Sequence, residues 1–116
     1  MIFTGIARAF SLENEEQYNT IGAFWDEMAE AYGLENLQGL GYLWQEGKIH
    51  YAIGLKTGEI QGQNFQIQLP DTGWISVEGK TDDLPQIYHE IYLSGPLTYE
   101  IETFTLDGNC QILYYR

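Results

Sequence analysis

The chain has 116 residues, 44% hydrophobic and 15% aromatic, with 5 basic against 17 acidic side chains and a net charge of −12. That length holds one domain with a real core, and that composition excludes a disordered tail. A field this negative argues against direct binding to nucleic acid or to an anionic membrane surface, and favours cations, whether small molecules or a basic protein partner.

The single cysteine, Cys110, excludes an internal disulfide framework, offers no metal cluster and is expected to be a small core residue. No signal peptide and no apolar run long enough to cross a bilayer is read, so the expected setting is a reducing cytoplasm. Nine tyrosines and three tryptophans are many for this length and suit walls that are apolar but polar-tipped.

In chain order, Ile2 to Phe10 reads as a short strand with a weak point at Gly5. Ser11 and Asn14 offer helix caps, and Glu13, Glu15 and Glu16 suit a helix N-terminus. Ile21, Phe24, Trp25, Met28 and Tyr32 follow helical spacing up to Gly33. Leu40 to Gln45 and Lys48 to Lys56 form a hairpin about Glu46-Gly47. A two-residue turn there sets Trp44 opposite Ile49, Tyr42 opposite Tyr51 and Leu40 opposite Ile53 on one face, with Gly41, Leu43, His50 and Ala52 on the other.

Thr57 to Gln63 is a Gly- and Gln-rich connection at the midpoint. Asn64 to Leu69 alternates strictly, and Pro70 to Gly73 is read as a bulge before the strand continues from Trp74 to Gly79. Asp82 or Asp83 caps a second helix with Pro85 in its first turn; Leu84, Ile87, Tyr88 and Ile91 form its buried face, Tyr92 joins Tyr88 in packing on the sheet, and Gly95-Pro96 ends it. Tyr99 to Phe104 and Gln111 to Arg116 make a last hairpin about Asp107-Gly108-Asn109. On its first arm Tyr99, Ile101 and Thr103 point one way, and Glu100, Glu102 and Phe104 the other.

The order is strand, helix, hairpin, twice. The fold class is therefore α+β: one domain over 1–116, with one unit over about 1–57 and another over about 64–116. Each unit is a small antiparallel sheet under one helix, too thin to stand alone, so the two are expected to pair about a pseudo-twofold axis with a ligand cavity at the seam.

At this point a family resemblance is visible. Ile21-Gly22-Ala23-Phe24-Trp25 resembles the Ile-Pro-x-Leu-Trp segment in the first helix of GyrI-like domains, also called AraC-type effector-binding domains. Leu40-Gly41-Tyr42, Tyr51-Ala52-Ile53-Gly54, Leu69-Pro70 leading to Gly73-Trp74, and Tyr99-Glu100-Ile101-Glu102 follow in the family's order over nearly the whole chain. The resemblance implies the duplicated fold and a pocket between its halves for lipophilic, often cationic, compounds, with a glutamate on the penultimate strand. Glu102 matches that glutamate best, Glu100 is the reserve, and Tyr114 matches a ring near it. Gly22 stands where the family has proline, the amino-terminal part is shorter than in many members, so a truncated first strand is expected, and no helix-turn-helix is read. A stand-alone binding module is thus the expectation, with any part in transcription regulation or drug resistance exerted through a partner.

A carboxylate buried alone tends to take up a proton unless a counter-charge arrives, and a lipophilic cation supplies one. At an effective dielectric near 20, opposite charges about 4 Å apart attract by roughly 4 kcal/mol before desolvation, and an aromatic face adds about 1–2 kcal/mol. The expected ligand-binding set is Glu102 for the charge and Tyr42, Tyr51, Trp74, Phe104 and Tyr114 for the walls, with no metal and no cofactor. Trp25 is read as core, and His50 and His89 as ordinary surface or half-buried side chains. Some members of the family hydrolyse strained, cyclopropane-bearing electrophiles, which would make Glu102 a general base toward water; binding is the favoured reading. A third is an acidic module docking on a basic protein such as gyrase, which the family name permits.

Overall fold

The computed structural model describes residues 1–116. Strands β1 (Ile2–Ser11), β2 (Leu37–Gln45), β3 (Lys48–Leu55), β4 (Phe65–Gln68), β5 (Ile75–Lys80), β6 (Tyr99–Phe104) and β7 (Asn109–Tyr115) join helices α1 (Gln17–Tyr32) and α2 (Leu84–Leu93). The strands form one seven-stranded antiparallel sheet in the order β4-β1-β3-β2-β6-β7-β5. At its centre β2 meets β6 through four residue pairs, Gly39 with Glu102 through Tyr42 with Tyr99.

Helix α1 forms where the apolar spacing requires it. Phe24, Trp25 and Met28 are buried on its sheet side, and Gly33, at φ 88°, takes the left-handed turn that ends it while its N–H donates to the Ala29 carbonyl at 2.8 Å. Its N-terminus has no side-chain cap: Ser11 Oγ instead accepts from the Glu13 N–H at 3.1 Å, ahead of a single 3₁₀ turn over Glu13–Glu15 that backbone bonds to the Leu12 and Glu13 carbonyls close. The expected aspartate cap on α2 is also absent, and Thr81–Asp83 form a 3₁₀ turn ahead of it.

Two further expectations are corrected. Residues 64–79 are not one bulged strand: β4 pairs with β1 at one edge of the sheet, and β5 pairs with β7 at the opposite edge. Pro70 to Gly73 lie on the crossing between them, and Gly73 takes φ 95°. Nor does the first strand stop at Phe10: β1 runs one residue further, to Ser11, and pairs on both sides.

The β2–β3 register is the third correction. The turn is at Glu46-Gly47, both with positive φ, and Gln45 faces Lys48 as expected. Between Tyr42 and Gln45 the register slips by one residue. Leu43 takes φ 52°, and its carbonyl meets His50 Nδ1 at 3.1 Å. Beyond this bulge Tyr42 faces His50, Gly41 faces Tyr51, and Leu40 faces Ala52. Every side chain of β2 from Tyr42 backward therefore lies on the face opposite to the one a regular hairpin gives it.

The sheet buries apolar clusters on both faces. On the helix side Phe24, Trp25, Met28, Leu37, Ile49, Tyr51, Ile53, Ile60, Phe104 and Cys110 pack together, and Tyr88, Ile91 and Ile112 form a smaller group under α2. On the other side Phe3, Leu40, Ala52, Leu69 and Ile101 are buried, with Tyr42, Phe65, Trp74 and Tyr99 against them.

Candidate ligand-binding cavity

Strand β6 sends Glu100, Glu102 and Phe104 to the helix side by simple alternation, and all three are buried. Directly opposite the two acids on β2 stand glycines: Gly41 across from Glu100 and Gly39 across from Glu102. A Cβ on Gly41 would lie 2.7 Å from Glu100 Oε1, and one on Gly39 would lie 2.7 Å from Trp25 Cζ2 and closer still to the Tyr51 hydroxyl. The missing side chains leave a trough over β2. Tyr51 on β3 lies across that trough and donates its O–H to Glu102 Oε1 on β6, and Trp25 Nε1 from α1 donates to the same hydroxyl at 2.9 Å. Glu100 Oε2 accepts from the Tyr92 hydroxyl of α2 at 3.0 Å.

Above these groups a cavity of ≈ 750 Å³ opens between α1, α2 and the centre of the sheet, a volume suited to a small organic molecule. Of its 22 lining residues 13 are hydrophobic, so a guest's body meets mostly apolar wall. Tyr18, Ile21, Gly22 and Trp25 come from α1, Leu84, Tyr88 and Tyr92 from α2, and Trp44, Ile49, Tyr51, Glu100, Glu102 and Phe104 from the sheet. The charged lining groups are Asp26, Asp82, Glu100 and Glu102, with no lysine or arginine among them. Arg8 is held by Glu27 at 2.8 Å over the Phe24 ring, and Arg116 is bound to the Ile91 and Gly95 carbonyls.

Burial pushes the Glu100 carboxyl well above the usual range, the charge of Glu102 pushes it further, and the Tyr92 hydrogen bond opposes both. Burial also raises Glu102, against the hydroxyl of Tyr51 and, more weakly, that of Tyr88 nearby. The Tyr88 hydroxyl falls outside hydrogen-bonding geometry with any group, and Gln17 Oε1 is likewise buried and unpartnered. Burial, then the neighbouring acids, raise the Tyr51, Tyr88 and Tyr92 hydroxyls, so these remain donors at any physiological pH.

Of the residues expected around the ligand, Glu102, Tyr51 and Phe104 come together in the cavity, and so does Glu100. Tyr42, turned by the bulge, lies on the other face of the sheet, where its ring stacks on Phe65 at 4.8 Å. Trp74 is on that face too, near Tyr115 and Tyr99, with Nε1 donating to the Pro70 carbonyl at 2.8 Å. Tyr114 shares the helix face with Glu100 but packs in the cluster under α2, with Arg116 over its ring, and does not line the cavity. Trp25 belongs to the core and to the cavity wall at once.

Tyr18, Gln17, Trp44, Tyr88 and Tyr92 line the cavity without having been singled out for it. Tyr88 and Tyr92 stand one helical turn apart, as do Tyr18 and Gly22, so each pair shares a helix face. That spacing is compatible equally with packing onto the sheet, which is why periodicity does not separate the two roles. No helix is long and apolar enough to cross a membrane. Compared with protein-family models, with curated proteins and with solved structures, the chain matches none.

Proposed function

We propose that this protein is a binding module for lipophilic cationic small molecules, built from two copies of one strand-helix-hairpin unit in the manner of GyrI-like effector-binding domains. The strand order supports the duplication: β1-β3-β2 is mirrored by β6-β7-β5, with α1 and α2 each following the first strand of its set and β4 added outside β1. The observation that carries the function is the lining of the cavity. Two buried carboxylates form its floor, two aspartates join them, and no basic side chain balances the set. Such a hollow favours a guest that brings positive charge on an apolar body.

The test is a matched pair of ligands, 1-naphthylmethylammonium and the neutral 1-naphthylmethanol, followed by tryptophan fluorescence, to which the cavity residues Trp25 and Trp44 contribute, and by Tm. The cation is expected to bind and to raise Tm, and Glu102→Gln to remove most of its advantage over the alcohol. Equal binding of the cation by parent and variant would overturn the assignment of the charge to Glu102.

A second reading rests on the Tyr51–Glu102 hydrogen bond. A carboxyl raised above its ordinary range by burial and held by a hydroxyl has the placement of a general base toward water on a strained electrophile. Hydrolysed product in excess of protein would support it; stoichiometric binding without product would count against it.

A further inference from the structure

Glu100 and Glu102 are neighbours on one face of one strand, which sets their Cα atoms roughly 6–7 Å apart. They are held separately: Tyr51 of β3 binds Glu102 through Oε1, and Tyr92 of α2 binds Glu100 through Oε2. One oxygen of each carboxylate thus has no protein donor, although an ionised carboxylate accepts at about four positions. Two more polar atoms at the cavity wall lack partners, the Tyr88 hydroxyl on a side chain only 5% exposed and Gln17 Oε1. Both can accept a hydrogen bond, and neither has an N–H from the protein.

We infer that the cavity prefers an elongated dication with N–H donors at both ends and an apolar middle, one ammonium meeting Glu102 and the other Glu100. The inference rests on the reading of the cavity as a cation site and deepens it to a charge count and a donor requirement. A monocation leaves one buried acid without a counter-charge. A quaternary nitrogen neutralises charge but offers no hydrogen bond to the open carboxylate oxygens. A diamine with a rigid aromatic body brings N–H donors for the open carboxylate oxygens at both ends, and the apolar wall suits its ring.

Binding is linked to protons. The titratable groups facing the acids are Tyr18 and Asp26 on α1, Tyr51 on β3, Tyr88 and Tyr92 on α2, and Asp82 just before it, with Cys110 of β7 close to Glu102. None supplies positive charge. Burial raises both acids, and the charge of Glu102 raises Glu100 further, so a dication that draws both toward the ionised form is expected to release more protons than a monocation.

The probes are 1,4-bis(aminomethyl)benzene, the same-shaped monoamine 4-methylbenzylamine, and the bis-trimethylammonium analogue of the diamine. They are titrated calorimetrically at pH 7.5 in two buffers of different ionisation enthalpy, against the parent and Glu100→Gln, with 4-methylbenzyl alcohol as the neutral control. The diamine is expected to bind the parent at least about tenfold more tightly than the monoamine or the bis-quaternary compound, with the larger proton release. Glu100→Gln is expected to bring diamine and monoamine together. Equal binding of diamine and monoamine by the parent, both tighter than the alcohol, overturns the dication and leaves the cation reading standing. Equal binding of the diamine and its bis-quaternary analogue overturns the donor requirement. Amines that bind no better than the alcohol, or not at all, overturn both readings together. Because Glu100→Gln removes a buried acid rather than a packing group, a folded variant is expected, and its Tm is the control.

Discussion

Gly39 stands directly across the β2–β6 pairing from Glu102, and the space its missing side chain leaves is filled by Tyr51, whose hydroxyl reaches that carboxylate. The small residue on the middle strand lets a ring on one neighbour touch an acid on the other. The buried acid thus depends on a position that bears no functional group.

Gly39→Ala is therefore expected to destabilise the protein by about 1–3 kcal/mol, the usual range for overpacking a filled core. The new methyl would press on Trp25 and Tyr51, both buried. Urea unfolding checks this, and the near-ultraviolet circular dichroism of the protein, to which Trp25 and Tyr51 contribute, is expected to change with it. An unchanged unfolding midpoint would mean that the ring and hydroxyl have room to move.

Tyr51→Phe removes one donor and strands two partners, Glu102 Oε1 and Trp25 Nε1. A loss of about 1–3 kcal/mol is expected, as for buried polar groups left without a hydrogen bond. With the Tyr51 hydroxyl gone, the Glu102 pKa is expected to rise further, since that hydrogen bond favours the ionised form. Its titration, followed by the carboxylate carbon signal in NMR, reports the shift.

Glu100→Gln is expected to change stability with a definite pH dependence. The folded protein holds the Glu100 proton above the ordinary carboxylate value of 4.5, so the folded state binds more protons than the unfolded one in that window. The contribution of Glu100 is then fully present below the unfolded value and is lost as pH rises through the folded one. The variant is expected to gain in Tm relative to the parent between pH 5 and 8, with the two closest at about pH 4. A gain that shrank as pH rose would show that the carboxyl is not raised by burial.

Leu43 holds φ 52° with a half-exposed side chain, in a region that L-residues enter at a penalty of roughly 1–2 kcal/mol. Leu43→Gly relieves this, less the entropy a glycine adds to the unfolded chain. A net gain of about 0.5–1 kcal/mol is expected in urea unfolding. A net loss would show that the Leu43 side chain contributes packing that its exposure does not reveal.

Much of this architecture is legible in the chain because it rests on short periods. The alternation from Tyr99 to Phe104 assigns Glu100, Glu102 and Phe104 to one face, and the structure buries all three there. Both helices announce themselves by apolar spacing, and Gly33 and Gly95 mark their ends with positive φ. The bulge at Leu43 does not announce itself, because a leucine gives no local sign of a left-handed backbone. That single residue moves Tyr42 away from the cavity and sets Gly39 and Gly41 on the helix side, opposite Glu102 and Glu100. The division of residues 64–79 is hidden for another reason: Pro70 to Gly73 suit a bulge and a crossing equally well, and only tertiary pairing sends β4 and β5 to opposite edges. The cavity walls from α2 are obscured because a tyrosine that packs a helix and one that lines a hollow share the same spacing.

The junction of β2 with β6 is the only strand pairing that joins the two sides of the sheet, and it is four residue pairs long. The acids of the cavity floor sit on that junction. A guest touching both helices above it would work as a clasp over the one ligament between the two sides of the sheet, so occupancy and mechanical cohesion rise together. Filling the hollow should slow amide exchange first at Gly39 to Tyr42, far more than at the outer edges of the sheet.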